Sequence, residues 1–258
     1  MLPLKDDTPR YSAPLVNTLL IVTNVVAYLL EGTLDPRAQA QFVRIFALNP
    51  ARLVAGVEGF LHPAVVHGVH GAAHGVANGV ANGAAHGMTL PMALLPVLTS
   101  MFMHASFWYH LLPNMWFLWV FGRSMEDALG HGRYLAFYLV CGVAAAAAQV
   151  LSDPTTTVPM VGASGAIAGV MGGYFVLYPR ARVLMLVPFL FIFFLWLPAW
   201  AVLGYWFVIQ FLSGVGTALV QSEKGMGGVA FWAHVGGFAA GFGLMSLFPA
   251  RVRRYMYR

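Results

Sequence analysis

Six long apolar runs, at about residues 14–30, 107–122, 134–151, 160–178, 197–217 and 228–248, decide what this chain can become. A helix needs about 20 mainly apolar residues to cross a bilayer. Helices suit that setting because they satisfy every backbone N–H and C=O within one segment. Only 9% of the residues are charged and 59% are hydrophobic, with a mean hydropathy of +0.73. Soluble domains carry roughly a quarter charged residues. The expected fold class is therefore an all-α membrane protein, a bundle of six transmembrane helices. Its 28 glycines and 7 tryptophans fit closely approaching helices with interfacial aromatics.

The basic residues set the orientation. Ten of the fourteen lysines and arginines lie at the two termini and in the loops between runs two and three and between runs four and five. Arg37, Arg44, Arg52 and Lys224 lie on the other side. The positive-inside rule then places both termini in the cytoplasm and demands an even number of crossings. The net charge of +5 is read as this signal, not as a footprint for nucleic acid.

Residues 1–13 read as a cytoplasmic N-terminal segment, 14–249 as the six-helix membrane domain and 250–258 as a basic cytoplasmic tail. The first run ends at Leu30-Glu31-Gly32 without a small-x-small cleavage site, so it reads as a span and not as a cleavable leader. At about 60–90 a Gly/His/Ala-rich stretch interrupts the first external loop and reads as a flexible insertion. His67, His70, His74 and His86 raise a metal site, but incidental histidines in low-complexity sequence explain them better. Cys141, the single cysteine, excludes an internal disulfide and reads as a packing residue. The run from Val183 to Val220 is too long for one crossing, so Val183–Trp196 is expected to be an interfacial or re-entrant lead-in. Glu126 and Asp127, beside Arg123 and Arg133, read as a solvated ion-pair cluster, and His131 as a loop histidine.

Polar residues with chemical potential gather at the outer ends of three runs. Ser164 stands in Gly162-Ala163-Ser164-Gly165 at the head of run four, His234 at the head of run six, and His110 and Asn114 at the head of run two. These three runs all pass from outside to inside, which puts the four side chains at a similar depth. Gly165, Gly169 and Gly173, with Ala233, Gly237 and Gly241, form small-xxx-small stripes that let helix backbones approach closely. A serine hydroxyl needs a positioned base to become a nucleophile, and His234 is the best candidate. No Asp or Glu lies in runs two, four or six, so the expectation is a Ser–His dyad. Backbone N–H groups in the first turn at Ser164 favour negative charge, and His110 and Asn114, four residues apart, can add donors. His104 reads as a brace at the outer end of run two.

These motifs, in this order and with the flanks Trp116–Gly122 and Glu126-Asp127-x-x-Gly130, resemble the rhomboid family of intramembrane serine proteases. The resemblance covers about Leu15 to Leu247, without the insertion. It implies a six-helix protease with a Ser164–His234 dyad and an oxyanion site from His110, Asn114 and the Ser164 backbone. It also implies substrates that are membrane-anchored proteins, such as single-span ones, cut within or beside their membrane helix and reached past span five. No metal or organic cofactor is implied, and the setting is a bacterial inner membrane with the site opening outwards. Three positions depart from the family pattern. His104 and His110 are six apart where five is usual, Pro113 precedes Asn114, and Ala168 stands where some members stack an aromatic on the catalytic histidine.

Two other readings stay open. A catalytically inactive rhomboid-like protein would bind membrane clients without cutting them, against which the retention of all four polar residues argues. A small transporter would place ionisable or unwound elements near mid-membrane on paired repeats. No internal repeat is visible, and the polar cluster lies near one face.

Overall fold

The computed structural model describes residues 2–61, 89–188, 192–220 and 230–247. The insertion read at 60–90 lies almost wholly outside the described residues. The helices are α1 (Leu15–Gly32), α2 (Pro36–Phe46), α3 (Pro50–Leu61), α4 (Leu90–Thr99), α5 (Phe107–Leu129), α6 (His131–Ser152), α7 (Ser164–Leu177), α8 (Ala199–Val220) and α9 (Phe231–Leu247). A helix thus stands at each of the six apolar runs. Among the described residues α1, α6 and α8 are long and apolar enough to cross a membrane. Residues Leu90–Phe102, which are α4 and the turn after it, count with α5 as a fourth candidate span, bent by 85° at the break between them. Helices α7 and α9 are apolar but shorter, at 14 and 17 residues.

α7 forms the centre, with eleven of its residues buried. Its glycines and those of α9 meet without intervening side chains, and α6 packs on both. Tyr134, Tyr138 and Tyr174 fill the core among Phe121, Met125 and Leu203. Cys141 lies in the same core, fully buried.

The all-α expectation needs correction. Strands β1 (Leu2–Asp6), β2 (Arg182–Pro188) and β3 (Ile192–Pro198) form an antiparallel sheet in the order β1-β2-β3. The register of the hairpin runs from Arg182 opposite Pro198 to Pro188 opposite Ile192. A continuous apolar run does not by its periodicity separate a strand from a buried helix. Here the prolines fall at the strand ends, where a missing N–H is tolerated. The segment expected to be a lead-in to span five is this hairpin.

β1 also ties down the N-terminal segment that had been set apart from the membrane domain. Asp6 accepts hydrogen bonds from Ser124 Oγ and Tyr174 Oη, both at 2.8 Å, and pairs with Arg10. Thr8 Oγ1 lies 2.8 Å from the same tyrosine oxygen.

Nor is Glu126 part of a solvated cluster. It is 0% exposed, and its carboxylate accepts from the backbone N–H groups of Val16 at 2.8 Å and Asn17 at 2.7 Å. Helix α1 starts after Pro14, which supplies no side-chain cap. A carboxylate from α5 therefore satisfies the first-turn donors and meets the positive end of the helix dipole. His131, which opens α6 instead of lying in a loop, touches the same carboxylate through Nδ1. Asp127 accepts from Tyr11 N and from Ser12 N and Oγ, while Arg123 lies over the Trp119 ring at 4.2 Å.

Candidate active site

The segment entering α7 is held on both sides. Met160 pairs with Leu48 through backbone hydrogen bonds of 2.7 and 3.0 Å, and Asn49 Nδ2 donates to Thr157 O at 2.6 Å. Gly162 N donates to Ser100 O at 2.8 Å. Gly162 has φ +128°, a region closed to most L residues, and this turn swings Ser164 into the first position of α7. No side chain caps that helix start, so its first-turn N–H groups keep their donor capacity.

Ser164 and His234 meet because α7 and α9 touch backbone to backbone. A β-carbon on Gly237 would lie 2.0 Å from Gly165 O, and one on Gly241 would lie 1.9 Å from Gly169 O. His234 Nε2 sits 2.7 Å from Ser164 Oγ, and the imidazole is 8% exposed. Gln149 of α6 accepts from Ala233 N at 3.2 Å, standing in for a cap at the start of α9.

His110 lies in a π-helical turn, Phe107–Leu111, in which Leu111 N reaches back to Ser106 O at 2.8 Å. Pro113 is the physical cause, since its ring clashes with the carbonyl four residues earlier and loosens the turn before it. His110 Nδ1 accepts from Ala105 N at 3.3 Å. In a neutral imidazole the proton then sits on Nε2, which becomes a donor. That nitrogen is 2.5 Å from where a Gly162 β-carbon would stand, a point itself 3.6 Å from Ser164 Oγ. Asn114, one turn on, is 8% exposed, and its Nδ2 is buried without a hydrogen-bond partner. His104 is 2% exposed and stands edge-on to His110, with ring centres 4.9 Å apart.

The structure thus brings Ser164 and His234 into contact, sets His110 beside them and buries Asn114 with a donor to give. Sequence reasoning missed two residues of α8 that touch His234. Trp206 packs on its ring with centres 5.7 Å apart, and Gln210 Oε1 lies 2.7 Å from its Nδ1. A signal existed: Gln210 is the one amide side chain between Ala199 and Val220, a stretch without Asp, Glu, Lys, Arg or His. Ala168, at the position where some rhomboids carry an aromatic, is fully buried and small, and the aromatic beside His234 comes from α8 instead.

A bundle of apolar helices with several long enough to cross a bilayer belongs among the integral membrane proteins, and this one holds a serine and a histidine in hydrogen-bond contact. The profile of the rhomboid domain matches residues 91–251, more than half of the chain. The chain belongs to the rhomboid family. It is 31% identical over 150 residues to "Rhomboid protein 1, mitochondrial" of Saccharomyces cerevisiae, a stretch covering 56% of this chain and 39% of that protein. Against the human "Presenilin-associated rhomboid-like protein, mitochondrial" identity is 35% over 89 residues, 34% of this chain and 23% of the relative. With the Arabidopsis thaliana "Rhomboid-like protein 11, chloroplastic" it is 41% over 71 residues, 28% and 25% of the two chains. The chain spans well under half the length of these relatives. Their names place them in organelles, which weakens the expectation of a bacterial inner membrane.

Proposed function

We propose that this protein is an intramembrane serine endopeptidase acting on membrane-anchored substrates by a Ser164–His234 dyad. The 2.7 Å contact between Ser164 Oγ and His234 Nε2 carries the reading. As Oγ attacks the scissile carbonyl carbon, Nε2 takes its proton. The carbonyl oxygen becomes an oxyanion, received by the first-turn N–H groups of α7, His110 Nε2 and Asn114 Nδ2. On collapse the C–N bond breaks and His234 returns the proton to the leaving amine. Water then cleaves the acyl-enzyme by the same steps, leaving the serine free. No metal or cofactor takes part.

The six helices at the apolar runs support six crossings, with both termini in the cytoplasm and the dyad opening to the far side. The short α7 and α9, at 14 and 17 residues, suit this arrangement, because a short helix leaves its outer end recessed below the surface of the bilayer. The membrane it occupies follows from fractionation of the source cell, with the relatives' names pointing to organelles and the topology alone to either setting.

The test is cleavage of a single-span substrate in liposomes by wild type, Ser164→Ala and His234→Ala, with covalent labelling by a fluorophosphonate probe read in parallel. Wild type should cut and label while both folded variants do neither. A folded wild type that neither cuts nor labels across several substrates transfers the reading to a rhomboid-like protein that binds clients without cutting them.

A further inference from the structure

We infer that Gln210 of α8 is a positioning residue for His234, so that the site works as a Ser164–His234–Gln210 relay whose third member is a neutral amide. This rests on the protease reading above and goes beyond it. Both ring nitrogens of His234 are engaged, Nε2 by Ser164 Oγ at 2.7 Å and Nδ1 by Gln210 Oε1 at 2.7 Å. A neutral imidazole carries one N–H, and a carbonyl oxygen can only accept. With its amide oxygen turned to the ring, Gln210 fixes the proton on Nδ1 and leaves the Nε2 lone pair facing the serine hydroxyl. The opposite tautomer would turn Nε2 into a donor unable to take the serine proton. An orienting partner on the far nitrogen is worth having for this reason, as the loss seen in a chymotrypsin-like triad with the wrong tautomer illustrates.

The surroundings favour this role over packing alone. Trp206, one turn earlier on α8, covers the ring, while Phe207 packs on Phe238 at 4.7 Å and anchors the same helix to α9. Gln210 carries the one side-chain amide of a helix whose remaining polar groups are the hydroxyls of Tyr205, Ser213 and Thr217 and the indole N–H groups of Trp200 and Trp206. Such a group inside a membrane needs a polar partner. Its amide oxygen finds one on the imidazole and on no other described side chain.

The experiment compares the full-length protein with Gln210→Met, which keeps the shape and removes the acceptor, and Gln210→Glu, which keeps acceptors only. Fluorophosphonate labelling rate, kcat and KM are measured for each, with melting temperature as the check on folding. Gln210→Met is expected to lower kcat and labelling about tenfold to a hundredfold with little change in KM, and Gln210→Glu to restore much of the loss. Wild-type rates in Gln210→Met overturn the inference, as do equal losses in the two folded variants, which would mark a packing role. The nitrogen-15 spectrum of labelled histidine in wild type gives a second reading that needs no variant to fold. A proton on Nδ1 of His234 supports the relay, and one on Nε2 overturns it. Inactivity of wild type itself would sink the protease reading, whereas the tautomer would still judge Gln210.

Discussion

Gly237→Ala is expected to separate the serine from the histidine without touching either. The new β-carbon would stand 2.0 Å from Gly165 O and 3.0 Å from Gly165 C. Ordinary van der Waals contact is about 3.5 Å, so the two helices must part by about 1.5 Å at this level. Sliding offers little escape, because the same carbon also meets Ala145 Cβ of α6 at 3.3 Å. Gly165 follows Ser164 and Gly237 lies three residues after His234, so most of the displacement reaches the dyad. The 2.7 Å contact would open to about 4 Å, beyond hydrogen-bond range. A misplacement of 1 Å costs roughly a hundredfold in rate, and overpacking costs about 1–3 kcal/mol of stability. Liposome cleavage, probe labelling and thermal melting would be measured beside Gly243→Ala, whose β-carbon meets nothing within 4 Å. The control should behave as wild type. Wild-type cleavage by folded Gly237→Ala would refute the view that backbone contact sets the spacing of the dyad.

Gly162→Ala combines a strained φ of +128° with a clash against His110 Nε2, so activity should fall by at least about tenfold; unchanged kcat would remove His110 from the transition state. Glu126→Gln leaves one first-turn donor of α1 poorly served and should cost about 1–3 kcal/mol, read as a lowered melting temperature with activity kept below it. An unshifted melt would mean that water replaces the carboxylate. Deleting residues 69–85 should leave proteolysis largely intact, and loss of all activity in a correctly inserted deletion would contradict that.

The placement of helices was legible because apolar length is a property of each segment alone. The Ser164–His234 contact was legible in outline, since small residues spaced four apart announced which helices could touch. What escaped depends on pairing across the chain. The sheet β1-β2-β3 joins residues about 180 positions apart, and its apolar strands carry no alternation to betray it. Glu126 looked like a loop acid because the bare start of α1, which needs it, lies more than a hundred residues earlier. Gln210 escaped because a third group on a catalytic histidine is ordinarily an acid, whereas this partner is a neutral amide on α8, a helix that carries none of the motifs.

The backbone contact between α7 and α9 also bears on how the surrounding lipid could influence the protein. Backbone atoms already in contact cannot be squeezed further, so lateral compression should leave the serine-to-histidine spacing unchanged. Helix α8 has no such protection, with only 11% of its apolar window buried. Lateral compression is therefore expected to reach the imidazole through Trp206 and Gln210 of α8, as a change of tilt, before it reaches the distance from the serine. In vesicles of graded acyl-chain length, turnover would then vary in step with the His234 proton signal while the packing of α7 on α9 stays fixed.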